Sequence, residues 1–470
     1  MPDHVELRSG TYADSVTLLQ VSREVQQLPG VRTAQVAMAT PLNVEVLERM
    51  GFTLPAEATV NHLVVALRLD DEDSDGDGID VDTVRAEVDR VLDESRRAPS
   101  GPTEEAPPRT TGTALRRRPG ALVVVSVPGA SAALEAMDAL QSGSDVMVFS
   151  DNVPVAQEVA LKRYADGRGL LVMGPDCGTA VVDGLGLGFA NVVSPGPVGL
   201  VAASGTGCQQ VLALLDHAGV GVTTAYGVGG RDLSADVGGL ATRTALARLD
   251  ADPAVELAVL ISKPPAEEVA RDLAAYTETL GTPVHLALLG AGRPDLTRAT
   301  EDLLRTLGRP VPTWPVSGTT RTVTGGRLHG LFVGGTMKQE AEVLVSAAGL
   351  DPLRYELVDF GDDEYTTGRA HPMIDPSLRL ERLADVAADP DTGVLLLDVV
   401  LGHGAEAEPA ASLAPAIRDL RPPVVITVVG TARDPQGLQR QVAALADAGA
   451  EVHLSNAGAT RRALEILGVA

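Results

Sequence analysis

Small and hydroxyl-bearing residues separate an apolar run from an amphipathic segment near the middle of the chain. The run Val198–Ala202 predicts a buried strand, and the residues after Gly207 have the apolar spacing of a helix. The turn between them reads Ser204-Gly205-Thr206-Gly207. Backbone N–H groups can approach an anion closely at such a turn, and a helix N-terminus adds about half a positive charge. The turn is therefore a candidate site for a phosphate or a carboxylate.

A second glycine turn follows the next predicted strand, which covers 221–226. It reads Gly227-Val228-Gly229-Gly230-Arg231-Asp232. In a parallel sheet the two turns would share the carboxyl edge, where ligands bind, and Arg231 can pair with an anionic substrate. The alternative is that the glycines only reflect the βα turns of a doubly wound domain.

Other small or polar residues also follow predicted strands. They are Ser126-Val127-Pro128-Gly129, Gly174-Pro175-Asp176-Cys177 and Gly402-His403-Gly404. Gly334-Gly335-Thr336 precedes a predicted helix over 337–348. His403 is either an acid or oxyanion donor or part of a helix cap. Cys177 is either a nucleophile or, as we favour, a small packing residue, and we also favour packing for Cys208. Arg369 and His371 are either polar site residues or parts of a loop.

The elements that must position these turns alternate between strand and helix. Nearly continuous apolar strands between helices predict α/β architecture with successive doubly wound parallel sheets from residue 119 onward. Residues 1–95 predict a small ferredoxin-like, two-layer α+β domain in the order βαβαβα. The segment 96–118, which is rich in proline, serine, threonine and charge, predicts a disordered linker.

Composition excludes several classes of function. The net charge of −25 and the 3% aromatic content argue against nucleic acid and anionic membranes as partners. The two cysteines suit a reducing cytoplasm and rule out a disulfide framework or a structural zinc site. The acidic run 71–78 departs from a calcium loop, so we expect no metal site. The first turn of the repeat lacks a GxGxxG pattern, which disfavours a nicotinamide cofactor. No apolar run is long enough to span a membrane, and the N-terminus lacks a signal peptide pattern.

From about residue 119 onward, the order of units resembles the succinyl-CoA synthetase superfamily of NDP-forming acyl-CoA ligases. The run GPDCGTAVVDGLGLGFANVVSPGPVGLVAASGTG is similar to the turn, strand and phosphate-binding helix of the α-subunit, and GVGGRDLSADVG to its next glycine turn. Residues 356–470, with VLLLDVVLGHGAE and VVITVVGTARDPQG, are similar to the carboxyl-terminal domain of the β-subunit. With the N-terminal RSGTYADSV and ATPLNVEVL, the whole chain is identified as a member of the FdrA family.

The resemblance implies a domain order as well. It implies a Rossmann-like CoA-binding-type domain over 119–193, a flavodoxin-like domain with the SGTG loop over 194–350, and a ligase-CoA-type flavodoxin-like domain over 351–470. Two residues depart from the synthetase pattern. His329, in RLHGLFVGG, has neither the context nor the spacing of the phosphorylated histidine. Gln210 replaces the glutamate that supports phosphohistidine, and no segment resembles an ATP-grasp nucleotide domain.

The function implied by the FdrA resemblance is that of a subunit of an oxamate carbamoyltransferase in purine and allantoin breakdown. Phosphate would convert oxalurate to oxamate and carbamoyl phosphate without phosphohistidine. Two facing helix-borne loops, Ser204–Gly207 and Gly402–Gly404, would hold phosphate and carbamoyl phosphate. Arg231 and Gly229–Gly230 would bind substrate, Gly174–Cys177 would shape the floor, and His403 would be the histidine candidate.

Two alternatives stay open. One is a nucleotide-dependent acyl-CoA ligase, which would bind CoA at Ser126, Pro128 and Gly129 and need an ATP-grasp partner. The other is a non-catalytic scaffold or regulatory subunit. In the favoured interpretation no cofactor is required, although CoA binding stays open. We expect a cytoplasmic oligomer that acts on a small acyl or carbamoyl substrate together with companion subunits of the same pathway.

Overall fold

The computed structural model describes residues 3–11, 13–70, 79–96, 108–320 and 325–469. The acidic run 71–78 and residues 97–107 of the predicted linker lie outside these ranges. The chain divides into two compact units, one formed by 1–107 with 362–375 and the other by 108–361 with 376–470. No helix in the described part of the chain is long and apolar enough to cross a membrane.

The first unit is built on a three-stranded antiparallel sheet in the order β1-β3-β2. Its elements are β1 Asp3–Ser9, α1 Ser15–Gln26, β2 Val31–Met38, α2 Pro41–Arg49, β3 His62–Leu69 and α3 Val81–Arg96. The predicted small α+β domain and its element order are therefore confirmed. The expected two layers are not, because β3 is apolar on both faces. Leu63, Val65 and Leu67 join the core that includes residues of α1 and α3, whereas Val64 and Ala66 pack with Leu47 of α2.

The segment 362–375 completes this first unit, although it follows the unit by more than two hundred residues in sequence. The Nδ2 of Asn43 donates to the carbonyl of Gly368 at 2.9 Å, and Arg23 donates to the carbonyl of Ile374 at 3.3 Å. Arg369 pairs with Asp375 at 3.3 Å within the segment. Arg369 is thus engaged locally in this unit.

The second unit contains three sheets. The first of them is parallel, in the order β4-β5-β6. Its elements are α4 Thr111–Arg117, β4 Val123–Val125, α5 Gly129–Gln141, β5 Val146–Val148, α6 Val155–Asp166 and β6 Val172–Met173. The prediction of a disordered linker over 96–118 is wrong for α4, because Leu115 is buried in this domain's apolar core and Thr110 caps the helix.

The middle sheet has six strands in the order β12-β11-β9-β10-β7-β8. Its elements are β7 Thr179–Val182, β8 Leu185–Gly188, β9 Val198–Ala203, α7 Gly205–His217, β10 Val222–Gly227, α8 Leu240–Ala251, β11 Leu257–Ser262, α9 Glu267–Thr277, β12 Val284–Leu288 and α10 Leu296–Thr306. The four strands β9 to β12 are parallel, and the hairpin β7–β8 adds an antiparallel edge.

The third sheet also has six strands, in the order β13-β18-β17-β16-β14-β15. Its elements are β13 Val316–Ser317, β14 Arg327–Phe332, α11 Gly335–Ala347, β15 Tyr355–Asp359, α12 Asp363–Thr366, α13 Ser377–Ala388, β16 Thr392–Val400, α14 Pro409–Ile417, β17 Val424–Val429, α15 Leu438–Asp447, β18 Glu451–His453 and α16 Asn456–Ile466. Of these, α12 belongs to the first unit by its position within 362–375. Strands β14 to β18 are parallel neighbours.

Sheet membership differs from two predicted domain boundaries. The hairpin β7–β8, predicted within the domain 119–193, extends the middle sheet instead. Strand β14, predicted within the domain 194–350, lies between β15 and β16 of the third sheet. Both differences arise because hydrogen bonding between distant strands, rather than proximity in sequence, decides the sheet to which a strand belongs.

Candidate functional site

The SGTG turn forms the N-terminus of α7, as predicted. Ser204 is the N-cap residue, and its Oγ accepts a hydrogen bond from the N–H of Gly207 at 2.9 Å. Strand β9 delivers this turn to the carboxyl edge of the middle sheet, because all six of its residues are buried. The small residues at the start of α7 leave its first turn without bulky side chains.

A second helix N-terminus meets the first. The hydroxyl groups of Ser204 and Thr336 are hydrogen-bonded to each other, and the N–H of Thr336 points to Oγ1 of Thr206 at 3.4 Å. A Cβ added to Gly334 would lie 3.0 Å from the Cβ of Thr206. Thus α11, which begins at Gly335 after β14, abuts the start of α7. We call these two starts the paired helix N-termini.

Two charged side chains reach the start of α11. Ser262, the last residue of β11, is in register with Ala203 on β9, so Lys263 emerges beside the strand that leads to Ser204. A Cβ added to Gly335 would lie 3.1 Å from Nζ of Lys263 and would press against Oδ2 of Asp359. The paired helix N-termini therefore have an ammonium and a carboxylate beside them.

A buried carboxylate anchors the loop before α11. Asp398 of β16 is fully buried and accepts hydrogen bonds from the N–H groups of Val333 at 2.7 Å and Gly334 at 2.9 Å. Burial raises the pKa of Asp398 to about 6, against the opposing effects of Arg379 and the two N–H groups. Arg379 donates to the carbonyl of Asp398 at 2.6 Å. The N–H groups of Val333 and Gly334 are thus occupied by Asp398, and the next residue, Gly335, begins the helix.

A polar network joins the two helices behind their starts. The side chain of Gln210 on α7 accepts from the N–H of Asn456 at 3.1 Å and donates to the carbonyl of Leu454 at 3.0 Å. Asn456 donates in turn to Glu340 on α11 at 2.7 Å. Gln210, which replaces the synthetase glutamate, is therefore a buried structural residue that ties α7 to α16.

The GPDC turn lies beside the same helix start. A Cβ on Gly205 would be 3.5 Å from Oγ1 of Thr179 and 3.9 Å from Cα of Gly178, the two residues that follow Cys177. The backbone of Gly174–Cys177 is held by β5 and its loop, since the N–H of Asp176 donates to Ser150 and that of Cys177 to Val148. The GPDC turn is thus fixed next to α7.

Both cysteines are buried, and burial raises the pKa of each thiol, to about 12 for Cys208. Thiolate chemistry at neutral pH is therefore disfavoured, which supports the packing interpretation for both. Cys177 also fills the space beside Gly227, where an added Cβ would lie 2.6 Å from its Sγ.

Arg231 has a different partner from the one predicted. Its Nε donates to Glu158 at 3.0 Å and its Nη2 to the carbonyl of Val153 at 2.8 Å. Glu158 also accepts from the buried Lys162, which contacts Asp232 at 2.8 Å. Arg231 therefore forms the outer part of an ion cluster, and its proposed role toward substrate stays a prediction. Gly229, with a φ of +89°, approaches the carbonyl of Pro175 so closely that a Cβ would lie 2.5 Å from it, and a Cβ on Gly230 would meet nothing within 4 Å.

Gly402-His403-Gly404 does not supply the second helix N-terminus that the sequence predicts. The N–H of His403 donates to the carbonyl of Ala190 at 2.8 Å, and that of Gly402 donates to Oε1 of Gln436 at 3.1 Å. The next helix, α14, begins only at Pro409. One N–H group of this loop therefore joins it to Ala190 and another joins it to Gln436, and the helix whose start meets that of α7 is α11.

The turn of Ser126, Pro128 and Gly129 does lie between a strand and a helix, β4 and α5, as predicted. Ser126 and Pro128 are exposed, whereas Gly129 packs against the backbone of Asp151 and Asn152. This start of α5 has no side-chain cap.

His329 lies inside a strand and away from a helix start. It is 3% exposed on β14, and it precedes Gly334 by five residues, which is roughly 16 Å of extended chain. Burial lowers the pKa of His329, although Glu356, whose Oε2 is 3.2 Å from Nδ1, opposes that shift. The position of His329 disfavours a phosphohistidine at the paired helix N-termini.

Two features near the start of α7 were given no role from the sequence, although each left a signal there. Gly334-Gly335-Thr336 is visible as a glycine turn before a helix, the same pattern as Ser204–Gly207. Lys263 directly follows the apolar run LAVLIS at 257–262, and residues at carboxyl ends of parallel strands are site candidates.

Two protein-family models match parts of the chain. The family described as CoA-ligase matches residues 331–466, and the family described as AllF, heavy metal-associated domain, matches residues 1–108. Residues 1–108 contain no cysteine, and their histidines are His4 and His62. Nδ1 of His62 accepts from the N–H of Thr59 at 3.0 Å, and the described residues contain no group of three or more candidate metal ligands. These residues do not fit a soft metal ion, which requires thiolate ligands.

Relatives cover the chain to different extents. The uncharacterized protein YahF of Escherichia coli (strain K12) is 34% identical over 500 aligned residues, which cover 95% of each chain. The succinate–CoA ligase [ADP-forming] subunit alpha of Methanothermobacter thermautotrophicus is 30% identical over 36% of this chain and 58% of its own. That of Staphylococcus aureus (strain Mu50) is 33% identical over 27% of this chain and 44% of its own. The chain thus spans about half the length of the α-subunits that it matches.

Among solved structures, the dinucleotide-forming acetyl-coenzyme A synthetase 1 of Ca. Korarchaeum cryptofilum, in complex with phosphate and ADP, is 15% identical. The match has a TM-score of 0.30 and covers 74% of this chain and 84% of that one. The assignment itself rests on YahF, because identity above 30% extends over nearly the full length of both chains. Together with the CoA-ligase and AllF family matches, this similarity shows that the chain belongs to the FdrA family of the succinyl-CoA synthetase superfamily.

Proposed function

We propose that the chain binds phosphate and the phosphoryl group of an acyl or carbamoyl phosphate between the paired helix N-termini. The observation that carries this proposal is the contact between the starts of α7 and α11, made by Ser204, Thr206 and Thr336. Helix N-termini present unpaired N–H groups and a partial positive charge, and two that converge can serve one tetrahedral anion from both sides.

We further propose that the reaction is that of an oxamate carbamoyltransferase. A phosphate oxygen would attack the ureido carbonyl of oxalurate, the bond from that carbon to the oxamate nitrogen would break, and the phosphate proton would pass to the nitrogen. The products would be carbamoyl phosphate and oxamate. Positioned N–H donors can stabilise the oxyanion of such an intermediate, so the reaction needs no CoA, nucleotide or phosphohistidine. The AllF name of the N-terminal family model and the link of FdrA proteins to allantoin breakdown support this choice.

The second candidate is a nucleotide-dependent acyl-CoA ligase, which the CoA-ligase match to residues 331–466 favours. In that case CoA would bind near Ser126–Gly129, and a partner would supply the ATP-grasp domain. The buried position of His329 within β14 argues against a phosphohistidine route. In either case we propose that companion chains complete the enzyme, since related chains are named as α-subunits.

The test is a phosphate-release assay on the full chain, with and without companion chains from the same operon. One arm would contain oxamate and carbamoyl phosphate, and the other CoA, ATP and a dicarboxylate. We expect oxamate-dependent phosphate release without nucleotide. Release that needs both CoA and ATP would contradict the carbamoyl transfer and favour the ligase.

Variants of the turn would connect that activity to the paired helix N-termini. Gly205→Val should lower activity at least tenfold, because its methyl groups would crowd the start of α7, where we place the anion. The variant should still fold, since a Cβ at this position would make only ordinary contacts, the nearest 3.5 Å from Oγ1 of Thr179. Thr110→Ala is the control for a general loss of stability, because it removes the cap of α4 at a cost of about 1 kcal/mol in the free energy of unfolding. Equal activity of the Val variant and the wild type would remove this site from consideration.

A further inference from the structure

The three lysines of this chain have different surroundings. Lys162 is fully buried and donates to Glu158, Asp232 and the carbonyl of Val228, each at 2.8 Å. Lys338 pairs with Glu342 at 2.7 Å on α11. Lys263 is half-buried and forms no ion pair with any residue that the structure describes. Its ammonium is thus the one of the three that a ligand can use among the described groups.

The backbone fixes where this ammonium lies. Lys263 follows Ser262, whose neighbour across the sheet is Ala203, the residue before the α7 cap. The N–H of Leu289 donates to the carbonyl of Ser262 at 3.0 Å, which holds the end of β11 in place. Nζ of Lys263 then comes within 3.1 Å of the position that a Cβ of Gly335 would take. The ammonium therefore reaches the first residue of α11 from the end of a rigid strand.

Electrostatics indicates what such a site would bind. Two helix N-termini supply about one positive charge together, and an ammonium adds another. Asp359 at the same spot disfavours anions, so a fixed cation beside it is needed for an anion to be held there. Asp359 offsets about one of these positive charges, so the choice between anions rests on the number of acceptor oxygens. A phosphoryl group has three terminal oxygens, which can accept from both helix starts and the ammonium at once, whereas a carboxylate has two.

We propose that Lys263 binds the phosphoryl group at the paired helix N-termini, and thereby selects phosphate and acyl or carbamoyl phosphates over carboxylates. This inference rests on the proposed function for the location of the anion, but its test does not depend on turnover. A lysine at this point would act as a compact charge, held by the end of β11 and opposite the N–H groups of α11.

The test is the binding of inorganic phosphate to the full chain by calorimetry, with oxamate as the carboxylate probe. Lys263→Met should weaken phosphate binding about tenfold or more and oxamate binding less than twofold, because a charge-assisted hydrogen bond to phosphate is lost. Lys263→Arg should retain most of the affinity, and Lys338→Met is the matched control. Gly335→Ala should also weaken phosphate binding, because its methyl group would crowd both Nζ of Lys263 and Oδ2 of Asp359.

A second measurement keeps the inference testable if the Met variant folds poorly. Reductive methylation with ¹³C-formaldehyde would label the accessible amines, and Lys162 is fully buried. Phosphate should shift the methyl signal of Lys263 and leave that of Lys338 unchanged. Unchanged phosphate affinity in Lys263→Met, or a wild type that does not bind phosphate, would overturn the role of Lys263. Lys263-dependent phosphate binding without carbamoyl phosphate turnover would instead contradict only the proposed reaction.

Discussion

Glu340 lies inside α11 with both of its carboxyl oxygens approached by donors. The N–H of Leu296 donates to Oε1 and Nδ2 of Asn456 to Oε2, each at 2.7 Å. Burial raises the pKa of Glu340 to about 7, and the nearby Asp295 raises it further against these hydrogen bonds. The folded chain therefore retains a proton here that an unfolded chain releases near its ordinary value of 4.5. This residue couples the support of the paired helix N-termini to pH.

The sign of that coupling can be tested with Glu340→Gln. Because the folded pKa lies above the unfolded one, the stability contributed by the protonated group is complete below pH 4.5 and is lost as the pH rises towards about 7. Between pH 5 and 7 the wild type should lose up to about 1.4 kcal/mol per pH unit relative to the variant. Denaturation midpoints at pH 5, 6 and 7 would measure this difference.

Glu342→Gln is the control for this residue, since Glu342 is on the same helix, is partly exposed and pairs with Lys338. Its midpoints should follow the pH dependence of the wild type. Parallel curves for Glu340→Gln and the wild type would mean that Glu340 is ionised throughout this range.

At the scale of elements, an ion cluster joins α6 to the turn after β10. The ammonium of Lys162 has three acceptors, among them the carboxylates of Glu158 and Asp232, and neither carboxylate is exposed. Asp232 also accepts from the N–H and the hydroxyl of Thr242, near the start of α8. Arg231 contributes an outer and partly exposed contact to the same cluster. The cluster therefore fixes the second glycine turn relative to two helices.

Lys162→Met should destabilise the chain by about 3–5 kcal/mol, because it leaves two carboxylates buried without their shared cation. Arg231→Met should cost only about 0–1 kcal/mol, because Arg231 is 39% exposed and solvent screens its pair with Glu158. Thermal unfolding of both variants beside the wild type would compare the two costs. A larger loss in Arg231→Met than in Lys162→Met would show that the outer contact holds the turn.

At the scale of the second unit, one carboxylate links two sheets. Oδ1 of Asp434 accepts from the N–H of Val192 at 2.7 Å, and Oδ2 accepts from Nδ2 of Asn191 at 2.8 Å and from the N–H of Thr431 at 2.7 Å. Residues 191 and 192 precede β9 of the middle sheet, whereas Thr431 follows β17 of the third. Together with the hydrogen bond between Gln210 and Asn456, this contact fixes the position of α7 relative to α11.

Asp434→Asn should weaken this link, because an amide NH₂ would replace one acceptor oxygen and face a donor. We expect a loss of about 2 kcal/mol and faster amide hydrogen exchange in peptides that contain 190–192 and 401–404. Hydrogen exchange followed by mass spectrometry would measure both segments. Asp447→Asn, at an exposed residue of α15, should exchange as the wild type does. If Asp434→Asn exchanged faster only at residue 431 and its neighbours, a role for Asp434 between the sheets would be contradicted.

Local pattern determined most of the elements. The strand before Ser204 and the strand over 221–226 both begin and end within a residue of their predicted limits, because apolar runs and turn residues act on neighbouring positions. The α/β class and the place of the SGTG turn at the start of a helix also follow from the sequence. Helix α4 was not predicted, because the segment around it has the polar composition of a linker, although its Leu115 is buried.

What the sequence could not determine is which distant residues meet. The expectation that Gly402–Gly404 begins a helix was wrong, since α14 begins only at Pro409. The role of Arg231 toward substrate stays a prediction, and the structure adds a partner for it, Glu158, that the sequence did not indicate. Pairing of β14 between β15 and β16 places the start of α11 against Ser204, and pairing of β11 with β9 places Lys263 beside it. The sequence by itself determined the elements and the kind of turn that can hold an anion. The pairing of β11 with β9 and of β14 with β16, which joins residues more than fifty positions apart, decided that α11 and Lys263 lie at the start of α7.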